Sequence, residues 1–249
     1  MDLARKMSVD ILSAFDTNND RLPIIFDKYF KKYNASFSHK KRSKATINEI
    51  IRNRGIIDYI IEKSSSRKMR NIQPKLKSIL RLGCYDLLFD EIIPEFAAIH
   101  SSVELGKNLM NKKSGSMVNA VLRNMQRKQD SDPAWLKSIK DNNIELSFPN
   151  WLIKKWRKQF GEKNTKKLCK AYLKKSPMFL RVDTNQLSLK EVIRLLNQNS
   201  IEVERYDILK NFLKVLSGRH KVLDHNLFNC GIISIQDPAS AAVAELVKP

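Results

Sequence analysis

The stretch from Ile72 to Arg127 constrains the chain more than any other. It reads IQPKLKSILRLGCYDLLFDEIIPEFAAIHSSVELGKNLMNKKSGSMVNAVLRNMQR. Ile72, Leu76, Ile79, Leu80, Gly83 and Leu87 recur at spacings of three and four, so they share one helical face. A glycine inside a helix costs about 1 kcal/mol against alanine. Gly83 on that face therefore points to a close approach by a neighbouring helix. Pro94 suits the first turn of a second helix, where a missing N–H does no harm. Ile99, Val103, Gly106 and Met110 form its stripe. Ser114 or Ser116 is expected to cap a third helix, whose buried face is Val118, Val121, Leu122 and Met125. Three such stripes must bury against one another and against the residues before them.

Those preceding residues supply more helices. Leu3, Met7, Ile11 and Phe15 stripe a helix over 2–15, with Arg5 and Lys6 off the stripe. Asp20 is placed to cap a second, over 21–32, that turns Leu22, Ile25, Phe26 and Tyr29 inward. SHKKRSK reads as a basic loop. It leads into a helix with Ile47, Ile50, Ile51 and Arg54, which continues or restarts near Gly55 through Ile57 and Ile61. About seven helices with short connections predict an all-α bundle over residues 1–130. DSDPAW, from Asp130, breaks the pattern. A short helix over 133–140 and a linker ending at Ser147-Phe148-Pro149 carry the chain to residue 150.

Trp151 to Lys175 reads WLIKKWRKQFGEKNTKKLCKAYLKK, with ten basic residues and one acid. Trp151, Ile153, Trp156 and Phe160 form one apolar stripe, and Leu168, Ala171 and Tyr172 another. The charges between them suit a surface that follows phosphates, and the tryptophans read as core. From Pro177 the period changes. FLRVD, IEVERY, NFLKVL and GIISIQ read as strands. Ser188 caps the helix LKEVIRLLNQN, DHNLFN is a turn or short helix, and Asp237-Pro238 opens a last helix. The region 151–249 is thus basic helices followed by a small α+β domain of order β-α-β-β-(α)-β-α.

Charge narrows the function. The chain has 249 residues and a formal net charge of +20, with 46 Lys and Arg against 26 Asp and Glu. Residues 1–150 hold 27 basic and 17 acidic side chains, and residues 151–249 hold 19 and 9. Such a surplus points to a polyanion, nucleic acid above all. A lysine-biased composition is the competing explanation, since 31 of the 46 are Lys. A chain of this length buries roughly 70–75% of the surface it exposes unfolded and needs no disulfide staple. Cys84, Cys169 and Cys230 lie far apart with no CxxC pair, which fits reduced thiols in the cytoplasm. No run of 18 apolar residues exists, so no membrane span is expected.

No catalytic set emerges from the residues themselves. The seven glycines are isolated, and His39, His100, His220 and His225 are scattered. His220, Asp224 and His225 read as a solvated turn more readily than as a metal site. Cys84 falls in a helical core pattern, where a thiol is inert.

Several segments resemble known families. ARKMSVDIL (4–12), ILRLGCYDLLF (79–89), IPEFAAIHSSVELGK (93–107) and MVNAVLRN (117–124) resemble the NusB fold, a helical RNA-binding module of transcription antitermination. FPNWLIKKWRKQFG (148–161), PMFLRVDTN (177–185) and GIISIQDPASAAVAELVKP (231–249) resemble bacterial ribosomal RNA cytosine-C5 methyltransferases of the RsmB type. One departure is local. Where that family often opens its third helix with an Asp-Arg pair, KKRSKATINEI has no acid before Glu49. The resemblance implies that a Rossmann-like S-adenosylmethionine domain, a glycine-rich loop and two catalytic cysteines follow beyond Pro249. This chain is then expected to be a truncated, RNA-targeting portion, inactive alone. No catalytic, cofactor-binding or metal-binding residue is expected within it. S-adenosylmethionine is implied only for the longer protein.

The candidate RNA contacts are Lys154, Lys155, Arg157, Lys158, Lys166, Lys167 and Arg181, with Arg5 and Lys6 second. Arg181 lies on a predicted strand, and its planar fork suits phosphates or base edges. Its competing role is a salt bridge to Glu202 or Glu204. The expected partner is RNA, ribosomal above all, with a protein partner open through the helical domain. The alternative is a non-enzymatic antitermination factor, which would end near residue 140 and leave the α+β half unexplained. A purely protein-binding helical adaptor would leave the charge unexplained.

Overall fold

The structure is a computed structural model that describes residues 2–18, 20–174 and 176–247. It divides into two units, Met1–Leu173 and Lys174–Pro249.

The first unit is helical: α1 (Leu3–Thr17), α2 (Leu22–Lys32), α3 (Phe37–Arg52), α4 (Arg54–Ser65), α5 (Pro74–Leu88), α6 (Glu95–Leu109), α7 (Lys112–Ser131), α8 (Trp135–Asn142) and α9 (Asn150–Leu173). The stripes read from the sequence face one another. Met7, Ile11, Ile79, Leu80, Ile99, Val118, Leu122 and Met125 join one buried core with Ile47, Ile57 and Ile61. The α5 crossing turns on Gly83. A Cβ there would lie 2.8 Å from Leu122 Cδ1 and 2.9 Å from Ser102 Oγ, so only glycine admits the neighbouring helices this closely.

Several helix starts differ from the sequence reading. Arg21, not Asp20, occupies the α2 cap position and makes no side-chain cap bond, and Pro23 lies in the first turn. Asn111, not Ser114 or Ser116, caps α7; its Oδ1 accepts from the Ser114 N–H at 2.9 Å. SHKKRSK is helix rather than loop. Ser36 Oγ accepts from the His39 N–H, and α3 runs on from Phe37. Ser43, within that segment, is buried with its Oγ 2.9 Å from Ser8 Oγ. The α3 start therefore needs no acidic cap. The short helix expected over 133–140 begins at Trp135, two residues later.

Two buried arginines tie the bundle together. Arg81 on α5 is 3% exposed and holds Asp58 through Nε and Nη2, at 2.7 and 2.8 Å, and Asp16 through Nη1 at 2.5 Å. Arg5 on α1 donates to Asp86 on α5 and, at 3.0 Å, to Ser102 Oγ on α6. Buried ions are tolerated only when paired in this way.

The second unit runs β1 (Met178–Val182), α10 (Leu189–Gln198), β2 (Val203–Arg205), β3 (Phe212–Val215), α11 (Asn226–Asn229), β4 (Ile233–Ile235) and α12 (Pro238–Val247). The strand order is β2-β3-β1-β4, all antiparallel. Leu180 sits opposite Leu213 and Ile235. Because strand side chains alternate between faces, Leu180, Val182, Leu213, Val215 and Ile233 share one side. They bury there with Val192 and Leu196 of α10. Ser188 caps α10 by accepting from the Glu191 N–H, as its position predicts. Phe212 and Ala241 of α12 pack on the opposite side, beside Phe179 and Tyr206. The β-α-β-β-α-β-α order expected from the sequence is the order observed.

Candidate nucleic-acid interface

Most of the predicted contacts lie on α9, which is not one straight helix. Gly161 has φ +74° and ψ +169°, a conformation outside the helical region. Thr165 Oγ1, buried, donates to the Gly161 carbonyl at 2.8 Å and closes the break. The first segment, 150–160, anchors itself by Ile153 against Ile144 and Cys169, with Phe148, Trp156 and Leu173 around them. Trp156 stacks on Tyr172 at 5.6 Å between ring centroids, and Phe148 meets both rings edge-on.

At 100° per residue, the face opposite Ile153 belongs to Trp151, Lys154, Lys155 and Lys158. All four are exposed. Trp151, read from the sequence as core, is 65% exposed. The apolar stripe of this segment is Ile153 with Trp156, and Trp151 falls on its far side.

The predicted cations differ in how far neighbours have already engaged them. Lys154, Lys155, Lys158 and Lys167 are exposed and have no acidic partner among the described residues. Arg157 is bound by Glu145 at 2.5 Å and Glu162 at 2.8 Å. Lys166 stands 3.7 Å from Glu162. Arg181 belongs to the second unit. It is exposed on β1, opposite Phe212 on one side and Ser234 on the other. The alternative pairing with Glu202 or Glu204 is not formed: Glu204 holds Lys214 at 2.6 Å.

The two remaining candidates fare differently. Arg5 is only 8% exposed, and its guanidinium is committed to Asp86 and Ser102. It is a core residue here and is removed from the interface. Lys6 is half-buried, with its Nζ 5.6 Å from the centre of the Tyr33 ring. Lys32 joins it, 5.4 Å from the Tyr29 ring and 5.5 Å from the Tyr33 ring. This aromatic and cationic cluster escaped the sequence reading. Its signal was the four-residue spacing of Tyr29 and Tyr33 beside Lys32. The Tyr33 hydroxyl also donates to Asp10, and burial and that carboxylate push its pKa upward.

The other reactive groups have structural occupations. Burial pushes the Cys84 thiol well above its ordinary value, so a thiolate nucleophile is disfavoured there. The Cys169 thiol moves the same way. All three cysteines are free. His225 Nδ1 accepts from the Leu227 N–H at 3.1 Å and caps α11. No three His, Cys, Asp or Glu side chains among the described residues are grouped to hold a metal ion. No helix of the described residues is long and apolar enough to cross a membrane.

With this geometry in place, the likeness to known proteins becomes specific. A model of the NusB family matches residues 2–127, the span of α1 to α7. The chain belongs to the NusB family. A second model, the ferredoxin-like domain of the RsmF/B-like methyltransferases, matches residues 148–220 of this NusB-family chain. The match begins at the residue before Pro149 and takes in α9, β1, α10, β2 and β3. Among curated relatives, a probable ribosomal RNA small subunit methyltransferase B of Bacillus subtilis (strain 168) is 28% identical over 246 residues. That alignment covers 98% of this chain and 54% of the relative. The protein of the same name from Synechocystis sp. is 25% identical, over 99% of this chain and 55% of its own length. The NusB-family chain thus spans about half the length of the curated relatives it matches. The crystal structure of PH0851 covers all of this chain and 56% of its own, with a TM-score of 0.56 and 18% identity, which shows a shared fold.

Proposed function

We propose that residues 1–249 form the RNA-recognition portion of a ribosomal RNA cytosine-C5 methyltransferase acting in the cytoplasm. The observation that carries this reading is the union, in one chain, of a NusB-family bundle and an RsmF/B-like ferredoxin-like domain. The functional boundary is drawn near residue 150: a helical domain over 1–130, a linker over 131–150, and an RNA-reading region over 151–249. Packing attaches α9 to the bundle, while the second family match begins at 148. In this reading α9 supplies phosphate contacts from Lys154, Lys155, Lys158 and Lys167. Arg181 adds a bidentate donor on β1. Phosphate contacts of this kind fix position, and base contacts specify sequence.

The described residues do not fit an S-adenosylmethionine site. Their sheet is antiparallel, without the parallel switch point at which open α/β sheets bind such ligands. Methyl transfer is therefore assigned, within this proposal, to a longer polypeptide that contains these two units. The rival reading, an antitermination factor without an enzyme partner, leaves the four-stranded unit without a purpose. A protein partner for the helical domain is compatible with either reading.

The test is a filter-binding titration against a ribosomal RNA hairpin at several salt concentrations, with duplex DNA as control. Binding should prefer RNA, and log K should fall linearly with log salt. Changing Lys154, Lys155, Lys158 and Lys167 together to Gln should flatten that slope by about 3. An unchanged slope would remove α9 from the interface.

A further inference from the structure

An exposed indole sharing a helix face with three ammonium groups that have no acidic partner among the described residues is an unusual thing for a helix to carry. Large aromatics are mostly buried, and this same segment half-buries its other tryptophan in an aromatic cluster. Trp156 is held between Phe148 and Tyr172, while Trp151 stands 65% exposed. On a helix, Lys154, Lys155 and Lys158 lie three, four and seven residues on from Trp151, on the same face and toward the C-terminal side of it. Together with Trp151 they span only about 10 Å of helix axis. None of the three has an acidic partner among the described residues, although Glu145 and Glu162 are near enough to hold Arg157. The acids thus neutralise the flank of the helix and leave this face cationic.

We infer that Trp151 is a stacking platform for an unpaired RNA base, with Lys154, Lys155 and Lys158 holding the neighbouring phosphates. This inference rests on the RNA-binding reading above and adds the kind of RNA. A flat π-face beside cations is the chemistry that binds single strands, because every base offers its own face regardless of sequence. Bases inside an A-form duplex are stacked on each other, and proteins meet such duplexes by shape and backbone instead. The charge argues against an apolar protein partner, since three unpaired ammonium groups would have to be desolvated with nothing to oppose them.

The experiment uses the 249-residue chain and two fluorescent probes, an unstructured RNA of about a dozen nucleotides and a duplex of the same sequence. Three variants are compared with the parent: Trp151→Ala, Trp151→Phe, and Lys154, Lys155 and Lys158 changed together to Gln. Trp151→Ala should weaken single-strand binding by about 5- to 100-fold, the worth of one stacked base. Its salt slope and its duplex binding should stay unchanged. Trp151→Phe, which keeps a ring, should recover most of the loss. The lysine variant should flatten the single-strand salt slope by about 2. Full single-strand affinity in Trp151→Ala overturns the platform while leaving the RNA reading intact. Absence of salt-dependent RNA binding in the parent chain overturns both.

Discussion

Asp86 shows how one residue can be both necessary and costly. It is 2% exposed, and Arg5 donates to it from α1. Burial nevertheless outweighs the attraction of Arg5 and pushes the carboxyl from 3.8 up to about 6. The folded state therefore holds this proton more tightly than the unfolded chain does. The resulting stability is fully present below pH 3.8 and is lost as pH rises through about 6. A rise of that size corresponds to about 3 kcal/mol. The unfolding free energy of the parent relative to Asp86→Asn should fall by that order between pH 4 and pH 7, measured by urea denaturation. A flat difference would mean that Arg5 fully offsets the burial. The same pair marks where residue-scale reading of the sequence stopped. Arg5 sits one position from Lys6 and looks equally free along the chain. Its partner lies 81 residues away, and no local pattern reports that distance.

At the scale of elements, periodicity carried most of the information. The stripes of α1, α5, α6 and α7 turn toward the core as their spacing put them, with Phe15, Val103 and Met110 only half-buried, because a helix with one apolar face has only one way to hide it. Caps were less legible. Asn111 and Ser114 both suit an α7 start, and the extended backbone at Asn111 decides between them. SHKKRSK looked like a loop because its charges mask Ser43, a small side chain that fits against Ser8. Trp151 looked like core because composition weighs a tryptophan more heavily than its angle around the helix. Gly83 was read correctly, and its role is measurable. Gly83→Ala gains up to about 1 kcal/mol of helix propensity. It also places a methyl 2.9 Å from Ser102 Oγ, which is fixed by its bonds to Arg5 and the Ala98 carbonyl. Overpacking of this kind costs about 1–3 kcal/mol, so thermal denaturation should show a net loss of stability. A gain would mean that α6 can retreat.

At the scale of the whole molecule, the two units keep separate cores. The cluster around Leu80 and Ile79 and the cluster around Leu180 and Leu213 have no residue in common. Leu80→Ala should destabilise the first unit by about 2–5 kcal/mol, since the side chain is fully buried. Amide exchange in β1 to β4 should be unaffected, as hydrogen-exchange mass spectrometry can show. Faster exchange in the sheet would reveal coupling between the units.

The break in α9 also bears on how this surface can vary by mutation. Nothing lies within 4 Å of where a Cβ on Gly161 would stand, so space is not what restricts the position. The backbone angles are the restriction, because that region is essentially closed to residues with a side chain. Almost any missense change at this codon either strains the chain or straightens the helix and turns its second half. The exposed lysines on both sides are under no such restraint. Under the proposed RNA-binding role, heritable variation should therefore accumulate at Lys154, Lys155, Lys158 and Lys167, around one glycine that has to stay.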